Sequence, residues 1–258
     1  MSHSRSFRSV AGVAAFLVAG ELVIRFGLGD GVIFPAPSVI LMEAVRLAVD
    51  GEFLLGALTT LTNWALGLLM AVAVAVPAGV LLGALAPLER AARPVLEFLR
   101  PIPSVAVIPL AILLIPVDGL MKVGVIVYAS VWPILFNTLY GMHDVDPLAK
   151  DSLRSFGFGP VAVLGRVSLP SAAPFVATGV RIASGVALII AVSAELFAGG
   201  TAGLGVFVIQ AGSGNRTDLV MAATLWAGMF GLLANASLRA AERRLFGWHL
   251  ARTGAAQT

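Results

Sequence analysis

Long apolar runs without charged residues recur along the chain, and each run of about 20 residues predicts a membrane-spanning helix. The longest run, Phe53–Leu88, is too short for two spans and a turn, so it predicts one long helix at 55–85. The next run, at 99–117, contains four prolines and predicts a broken helix, tolerated only where other protein covers the freed backbone groups. Three further spans are expected at 120–142, 175–198 and 219–240.

The run at 10–28 predicts the first of six spans, although Glu21 and Arg25 interrupt it. These two residues are four positions apart and share one helix face, so the sequence leaves open whether they pair. A signal peptide is the alternative for this basic and then apolar start. The charges break the apolar run, however, and no clear small-residue cleavage site follows.

Shorter elements are expected between these spans. Gly29-Asp30-Gly31 predicts a turn, and the segment that follows predicts an amphipathic helix on the membrane surface, capped by Ser38 and ending near Val49. The glycine-rich stretch Gly199–Gly214 contains an apolar patch, Leu204–Ile209, which predicts a short re-entrant or interfacial helix.

The composition supports a membrane protein. Of the 258 residues, 59% are hydrophobic and only 12% are charged. Soluble domains carry about 25% charged residues, so this chain lacks the polar groups to cover a water-facing surface. Cysteine is absent, which excludes disulfides, thiolate metal sites and a cysteine nucleophile. The fold class expected is therefore an all-α integral membrane protein with no metal site.

The basic residues fall on one side of the predicted spans. One set of connecting segments holds Arg5, Arg8, Arg90, Arg93, Lys150, Arg154, Arg166, Arg239, Arg243, Arg244 and Arg252. The opposite set holds three basic residues, Arg46, Lys122 and Arg216, against six acidic ones. By the positive-inside rule the first set is cytoplasmic. The expected location is the bacterial inner membrane, in several passes, with both termini in the cytoplasm.

The predicted cytoplasmic segment at 143–174 has the pattern of folded soluble structure. Asp146-Pro147 places a capping residue and an N-terminal proline before a helix at Leu148–Phe156, which stops at Gly157. A second short helix is expected at about Val161–Val167. On these grounds a rigid element that transmits motion from a soluble partner and an ordinary connecting loop are equally supported.

The same segment resembles the EAA motif of ABC-importer permeases, which is Glu-Ala-Ala, three residues, Gly, nine residues, Ile, any residue, Leu-Pro. Its spacing matches throughout, and Gly157, Leu169 and Pro170 match in identity. Asp151 keeps the acidic character and Val167 the branched side chain. The residues assigned to ATPase coupling on this resemblance are Asp151, Ser152, Leu153, Arg154, Phe156, Gly157, Val167, Leu169 and Pro170, although Ser152 and Leu153 depart from the two alanines.

The resemblance extends from about Phe34 to Trp248. Over this range the chain is similar to permeases that import nitrate, sulfonates or taurine. The segments that carry it are Phe34-Pro35-Ala36-Pro37-Ser38, Arg100-Pro101-Ile102-Pro103, Ala194-Glu195-Leu196-Phe197, Gly203-Leu204-Gly205 and Glu242-Arg243-Arg244. It implies a six-helix type I permease bundle, with a coupling helix in the 143–174 segment that docks on a separate ATPase.

The implied partners are ABC ATPase subunits, a second permease copy, an extracytoplasmic solute-binding protein and the lipid bilayer. The chain has no Gly-x-x-x-x-Gly-Lys-Ser/Thr loop to hold a nucleotide, so no cofactor is expected and ATP would be bound by the partner. The solute, and whether the two copies are identical, are open from the sequence.

Polar residues inside spans are candidates for the translocation pathway, because burying them is unfavourable unless they pack, pair or face water. The candidates are Arg181, Glu195, Asn63, Asn137 and Ser184. Arg181 is the main one, since an anionic solute favours a cationic route, although an arginine near a span end also extends to the membrane surface. Glu195 is expected near the outer end, as a gate element or paired with a neighbour.

Two other classes are weighed against an ATP-driven permease. A gradient-driven secondary transporter is the alternative function, but such proteins often show internal repeats and none is clear here. An enzyme is disfavoured, because the three histidines lie at chain ends or in a loop, so Ser213 has no evident base and no catalytic residue is assigned. Nucleic-acid binding has no support, since the basic residues are dispersed.

Overall fold

The computed structural model describes residues 2–26 and 34–255, and every regular element within them is helical. The α-helices in chain order are α1 Ser2–Arg25, α2 Pro37–Leu47, α3 Gly51–Ala84, α4 Ala86–Leu99, α5 Ile108–Leu114, α6 Asp118–His143, α7 Pro147–Ser155, α8 Pro160–Val163, α9 Leu169–Ala198, α10 Leu204–Ser213 and α11 Thr217–Ala255. A 3₁₀ turn at Ser104–Val107 precedes α5, and a π-helical turn at Leu164–Ser168 joins α8 to α9. The predicted turn at 29–31 lies outside the described residues.

Within the described part of the chain, four helical stretches are long and apolar enough to cross a membrane. They are Gly51–Ala84, Asp118–His143, Pro160–Ala198 and Thr217–Phe246. A fifth is obtained if the bent pair Ala86–Leu99 and Ser104–Leu114 counts as one span. The predicted single long helix at 55–85 is confirmed, as are helices over 120–142, 175–198 and 219–240.

The predicted third span was wrong in its extent. The helix α4 lies before it and was not predicted, and the chain bends by 83° between α4 and the 104–114 segment. Proline explains both features: Pro87 is tolerated in the first turn of α4, whereas Pro101 and Pro103 lack the N–H groups needed to continue it. The charges of α4 line one helix face, where Arg93 and Glu97 pair at 2.9 Å.

The predicted cap of the short helix α2 was also wrong. Pro37 occupies the first turn and Ala36 is the N-cap residue, so Ser38 lies inside the helix. Ser38 instead donates from its hydroxyl to Glu21 at 2.8 Å and from its backbone N–H at 3.0 Å. Glu21 also accepts from Arg25 at 2.7 Å, which answers the question of pairing that the sequence left open. The predicted helix within 199–214 is confirmed as α10.

The chain divides into two compact units. The first consists of residues up to 59 together with 199–229, and three aromatic rings pack together within it. The buried Phe53 ring lies 5.2 Å from Phe207 and 6.1 Å from Trp226, measured between ring centroids. The Trp226 indole N–H donates to the Ala44 carbonyl at 2.8 Å, which fixes α2 against α11 within this unit.

The second unit consists of residues 60–198 and those from 230 onward, and α6 is its central helix. Glycines of the neighbouring helices lie against α6 where a larger side chain would not fit. A Cβ on Gly79 of α3 would lie 2.7 Å from the Thr138 Cβ, and one on Gly179 of α9 would lie 2.9 Å from the Asn137 Cβ. Small residues that allow such close approach are typical of helix packing in membranes.

Candidate functional site

The helix α7 is capped at its start by Asp146 and Pro147, the two residues predicted to begin it. The Asp146 carboxylate accepts a hydrogen bond from the Leu148 N–H at 2.9 Å, and Pro147 occupies the first turn. The capping carboxylate satisfies a donor that the helix cannot pair internally. The predicted Asp-Pro start of the helix is therefore confirmed.

The end of α7 explains the glycine of the motif. Gly157 has φ +81°, a conformation that glycine adopts without the steric strain of a Cβ. Its N–H donates to the Arg154 carbonyl at 2.9 Å, and the Phe158 N–H donates to the Leu153 carbonyl at 3.2 Å. These two bonds form a Schellman motif, which ends the helix in a defined direction.

The second half of the 143–174 segment differs from the prediction of a separate short helix at 161–167. Helix runs from Pro160 through to Ala198, with the π turn inside it. The Leu169 N–H bonds to the Leu164 carbonyl, five residues back. Pro170 has no N–H and its ring clashes with the carbonyl four residues earlier, so the wider π turn accommodates it. Leu169 and Pro170 thus lie inside the helix and do not precede it.

The side chains of the 143–174 segment include exposed polar residues, exposed apolar residues and half-buried ones. Asp151, Ser152 and Arg154 are exposed, with Arg154 paired to Asp151 at 2.9 Å, whereas Leu153 and Val167 are half-buried. We call the three most exposed apolar residues of the 143–174 segment, Leu148, Phe156 and Val161, the apolar trio; their exposed fractions are 72%, 82% and 83%. The Arg166 guanidinium lies 4.8 Å from the centre of the Phe158 ring, which adds a cation–π contact across the turn.

Of the predicted pathway residues, Glu195 is the most deeply placed. It is 0% exposed, and both of its carboxylate oxygens lie near the Thr60 hydroxyl, at 2.8 and 2.9 Å. Ser184 is also buried, and its carbonyl accepts a hydrogen bond from the Trp64 indole at 2.9 Å. These contacts join α3 to α9 within the second unit, since a buried carboxylate requires hydrogen-bond donors.

The two predicted asparagines differ in their surroundings. The Asn137 amide donates to the Pro133 carbonyl of its own helix at 2.7 Å, and Asn137 packs against Gly179. Asn63 is half-buried. The structure therefore gives Asn137 a role in helix packing.

Arg181, the main pathway candidate, has an acidic partner that the sequence analysis did not identify. Its Nε lies 3.2 Å from a carboxylate oxygen of Glu242, and the Thr178 hydroxyl donates to the other oxygen at 3.2 Å. Glu242 is the first residue of Glu242-Arg243-Arg244, one of the segments that carry the family resemblance. Its place in that segment was the feature of the sequence that pointed to Glu242. The pair reduces the positive charge that Arg181 presents to a solute.

A buried cation was also missed. Lys122 of α6 is 1% exposed and its ammonium lies 2.7 Å from the Asp118 carboxylate, one turn earlier. From charge distribution alone, Lys122 belongs to the segments opposite the cytoplasmic side. The feature that indicated an ion pair inside the span was the position of Lys122, four residues after Asp118 at the start of an apolar run.

Replacing Thr60 by valine is expected to lower the thermal stability of the purified protein, because the buried Glu195 then loses a hydrogen-bond donor. Losing one hydrogen bond of a buried charged group costs about 1.5–3 kcal/mol. Thr59→Val is the matched control, since Thr59 is only half-buried and donates to the Leu55 carbonyl of its own helix at 2.9 Å. Melting of both variants in detergent checks the prediction, and equal melting temperatures would contradict it.

Among the described residues, no group of three or more histidine, aspartate and glutamate side chains is placed to hold a metal ion. The polar side chains of the described residues instead form ion pairs and hydrogen bonds, some within one helix, as in Arg93–Glu97, and some between helices, as in Arg181–Glu242.

Comparison with known proteins gives the class of transport protein to which this chain is similar. A family model described as "binding-protein-dependent transport system inner membrane component" matches residues 75–247. A probable ABC transporter permease protein of Brucella melitensis biotype 1 is 33% identical over 84% of this chain and 88% of its own length. The taurine transport system permease protein of Escherichia coli (strain K12) is 30% identical over 93% of this chain and 89% of its own. A putative aliphatic sulfonates transport permease protein of Bacillus subtilis (strain 168) is 27% identical over 91% and 85%.

These relatives are transport permeases and not enzymes, and the chain is a multi-pass protein of the inner membrane. The chain belongs to the family of inner-membrane components of binding-protein-dependent transport systems, the ABC-importer permeases. The resemblance carried by the motif at 151–170 is confirmed at the level of the family.

Proposed function

We propose that this chain forms the membrane pathway of an ATP-driven importer for a small anionic solute, with the 143–174 segment as its contact with the ATPase. An extracytoplasmic binding protein delivers the solute, and a second copy of the chain completes the pathway. The bundle has six spans: the five described above and α1, whose 24 residues extend for about 36 Å. Both termini are cytoplasmic in this proposal.

The observation that carries the proposal is the apolar trio on a fixed segment between two spans. Exposed aromatic and aliphatic side chains outside the bilayer point to a protein partner, because water does not favour them. The Asp146 cap and the Gly157 turn hold the backbone that presents them. A fixed element can transmit the closure of an ATPase dimer to the helix that begins at Pro160.

The position of the arginines supports a cytoplasmic location for this segment. Arg239, Arg243 and Arg244 are exposed near the end of α11, and Arg90 and Arg93 lie in α4. The 143–174 segment carries Arg154 and Arg166 on exposed positions as well. The cytoplasmic side of a membrane protein carries such an excess of arginine and lysine.

The solute class rests on the relatives and on charge. Two of the relatives above are named for taurine and for aliphatic sulfonates. Both solutes carry an anionic sulfonate group, although taurine also carries an ammonium group, so the sulfonate is the feature that they share. Within this class a sulfonate, nitrate or a related anion is the proposed solute.

The partner is tested by purifying the tagged chain from bacterial membranes in mild detergent and identifying the chains that accompany it. We expect an ABC ATPase with the wild type and its loss with Gly157→Pro, because proline fixes φ at about −65° where the native value is +81°. Gly159→Ala is the control, since its φ is −71° and a Cβ there meets open space. Purification of the wild type without any ATPase would contradict the proposal.

A further inference from the structure

The four aromatic residues of α6 are spaced four positions apart: Tyr128, Trp132, Phe136 and Tyr140. We call them the aromatic stripe. It includes both tyrosines of the chain. Residues four apart are neighbours on a helix surface, so the stripe covers about 18 Å along α6. The rings contact in pairs: Tyr128 lies edge-on to Trp132 at 5.8 Å, and Phe136 lies 6.4 Å from Tyr140.

The stripe lies outside the buried faces of α6. The faces that pack on the glycines of α3 and α9 use other residues, such as Thr138 and Asn137. Tyr128, Trp132 and Phe136 are only half-buried, and Tyr140 is 53% exposed. A third side of the helix therefore presents aromatic rings away from the core of the second unit.

Two of these residues carry polar groups near the middle of the predicted span. Tyrosine and tryptophan usually lie at the two membrane surfaces, where their polar ends reach water. Tyr128 and Trp132 lie halfway along α6 instead. The Trp132 indole nitrogen is buried and has no hydrogen-bond partner among the described residues. Hydrocarbon offers the hydroxyl of the half-buried Tyr128 no hydrogen-bond partner, which favours water or a solute over lipid on this face.

A cation lies at the other end of the stripe. The Arg100 guanidinium is 4.6 Å from the centre of the Phe136 ring. It lines a cavity of about 260 Å³ together with Phe136, Tyr140, Arg93, Glu97 and His143, among others. Arg93 pairs with Glu97 and His143 with Glu89, whereas Arg100 forms no ion pair with a described residue. The lining therefore holds two carboxylates, Glu89 and Glu97, and two guanidiniums, of which Arg100 has no carboxylate of the described residues at ion-pair distance.

We infer that the aromatic stripe and Arg100 line the route of the transported solute, and that they suit a small organic anion such as an alkane- or arenesulfonate. The rings contact the apolar body of the solute, and Arg100 pairs with its anionic group. This inference rests on the proposed function and names the side chains that select the solute. Arg100 replaces Arg181, whose charge is paired with Glu242, as the cation of the route.

The absence of cysteine from the chain allows a direct test, because a single introduced thiol reacts without background. The variants are Tyr128→Cys, Trp132→Cys, Phe136→Cys and Tyr140→Cys, with Leu69→Cys as control, since Leu69 is a 65% exposed apolar residue of α3. Each is treated in membranes with the anionic thiol reagent methanethiosulfonate ethylsulfonate, itself a small alkanesulfonate. We expect the stripe positions to be labelled and Leu69→Cys to stay unlabelled.

The role of Arg100 is tested at Tyr140→Cys with anionic and cationic methanethiosulfonates. Removing the charge with Arg100→Gln is expected to lower the ratio of anionic to cationic labelling rates by about fivefold, and Arg100→Lys is expected to preserve it. A merely structural arginine would change both rates alike and leave the ratio unchanged, which would overturn the assignment.

Three results would overturn the inference. Labelling of the stripe as slow as at Leu69→Cys would place it against lipid or protein. Spontaneous disulfides between two copies at these positions would make the stripe an interface between copies. Loss of the ATPase from the wild-type complex would remove the proposed function and this inference together. Co-purification of the ATPase with each cysteine variant shows that the proposed function stands when only the labelling fails.

Discussion

Replacing Phe156 by aspartate is expected to abolish co-purification of the ATPase while the permease still folds. The side chain is 82% exposed, so the charge meets water in the isolated chain and does not disturb its core. In the complex the same position would be covered by the partner. Loss of an aromatic residue at the centre of an interface weakens binding by about 2 kcal/mol or more. This corresponds to about a 30-fold weaker complex.

The matched control is Phe156→Leu, which keeps an apolar side chain and is expected to retain the ATPase. The measurement is the amount of ATPase per permease after affinity purification, with the elution profile on gel filtration as the test of folding. Equal recovery of the ATPase with Phe156→Asp and Phe156→Leu would show that the apolar trio is not the docking surface.

The second large effect is expected in the core of the second unit, where α6 and α9 meet. Replacing Gly179 by alanine places a Cβ 2.9 Å from the Asn137 Cβ and 3.0 Å from the Pro133 carbonyl oxygen. A backbone oxygen of a packed helix cannot move away as the end of a long side chain can. Overpacking of this kind costs about 1–3 kcal/mol. The purified Gly179→Ala protein should therefore melt several degrees below the wild type.

Gly185→Ala on the same helix is the control, because a Cβ there meets nothing within 4 Å. Alanine is favoured over glycine inside a helix by about 1 kcal/mol, so this variant should melt at or above the wild-type temperature. Thermal unfolding in detergent separates the two outcomes. A Gly179→Ala protein as stable as Gly185→Ala would show that the helices move apart without penalty.

The sequence was a good guide to the long helices because their apolar runs are long and contain few charged residues. The helix Gly51–Ala84 follows from a run without charge, and the Asp146 cap and Gly157 turn follow from residue types with few alternative conformations. Proline was harder to interpret. Pro87 and Pro37 begin helices, whereas Pro170 lies inside one by means of a π turn. The same residue can start, end or widen a helix, and its neighbours in the fold decide which.

Contacts between distant parts of the chain could not be predicted from local pattern. The pairing of Arg181 with Glu242 depends on how α9 and α11 pack, and the burial of Lys122 depends on the helices around α6. The aromatic spacing of α6 was visible in the sequence. Its meaning required the half-buried rings and the position of Arg100 above Phe136. Periodicity identifies which residues share a face, but packing identifies what that face meets.

The most direct test of the central claim is solute uptake into proteoliposomes that contain the permease with its ATPase, with the binding protein added outside. The solutes are labelled taurine, an alkanesulfonate and nitrate, in vesicles with and without enclosed ATP. An ATP-driven importer predicts that uptake of at least one solute requires ATP and the binding protein and persists when ionophores remove ion gradients. Uptake that needs a proton or sodium gradient and proceeds without ATP would contradict the account and identify a secondary transporter.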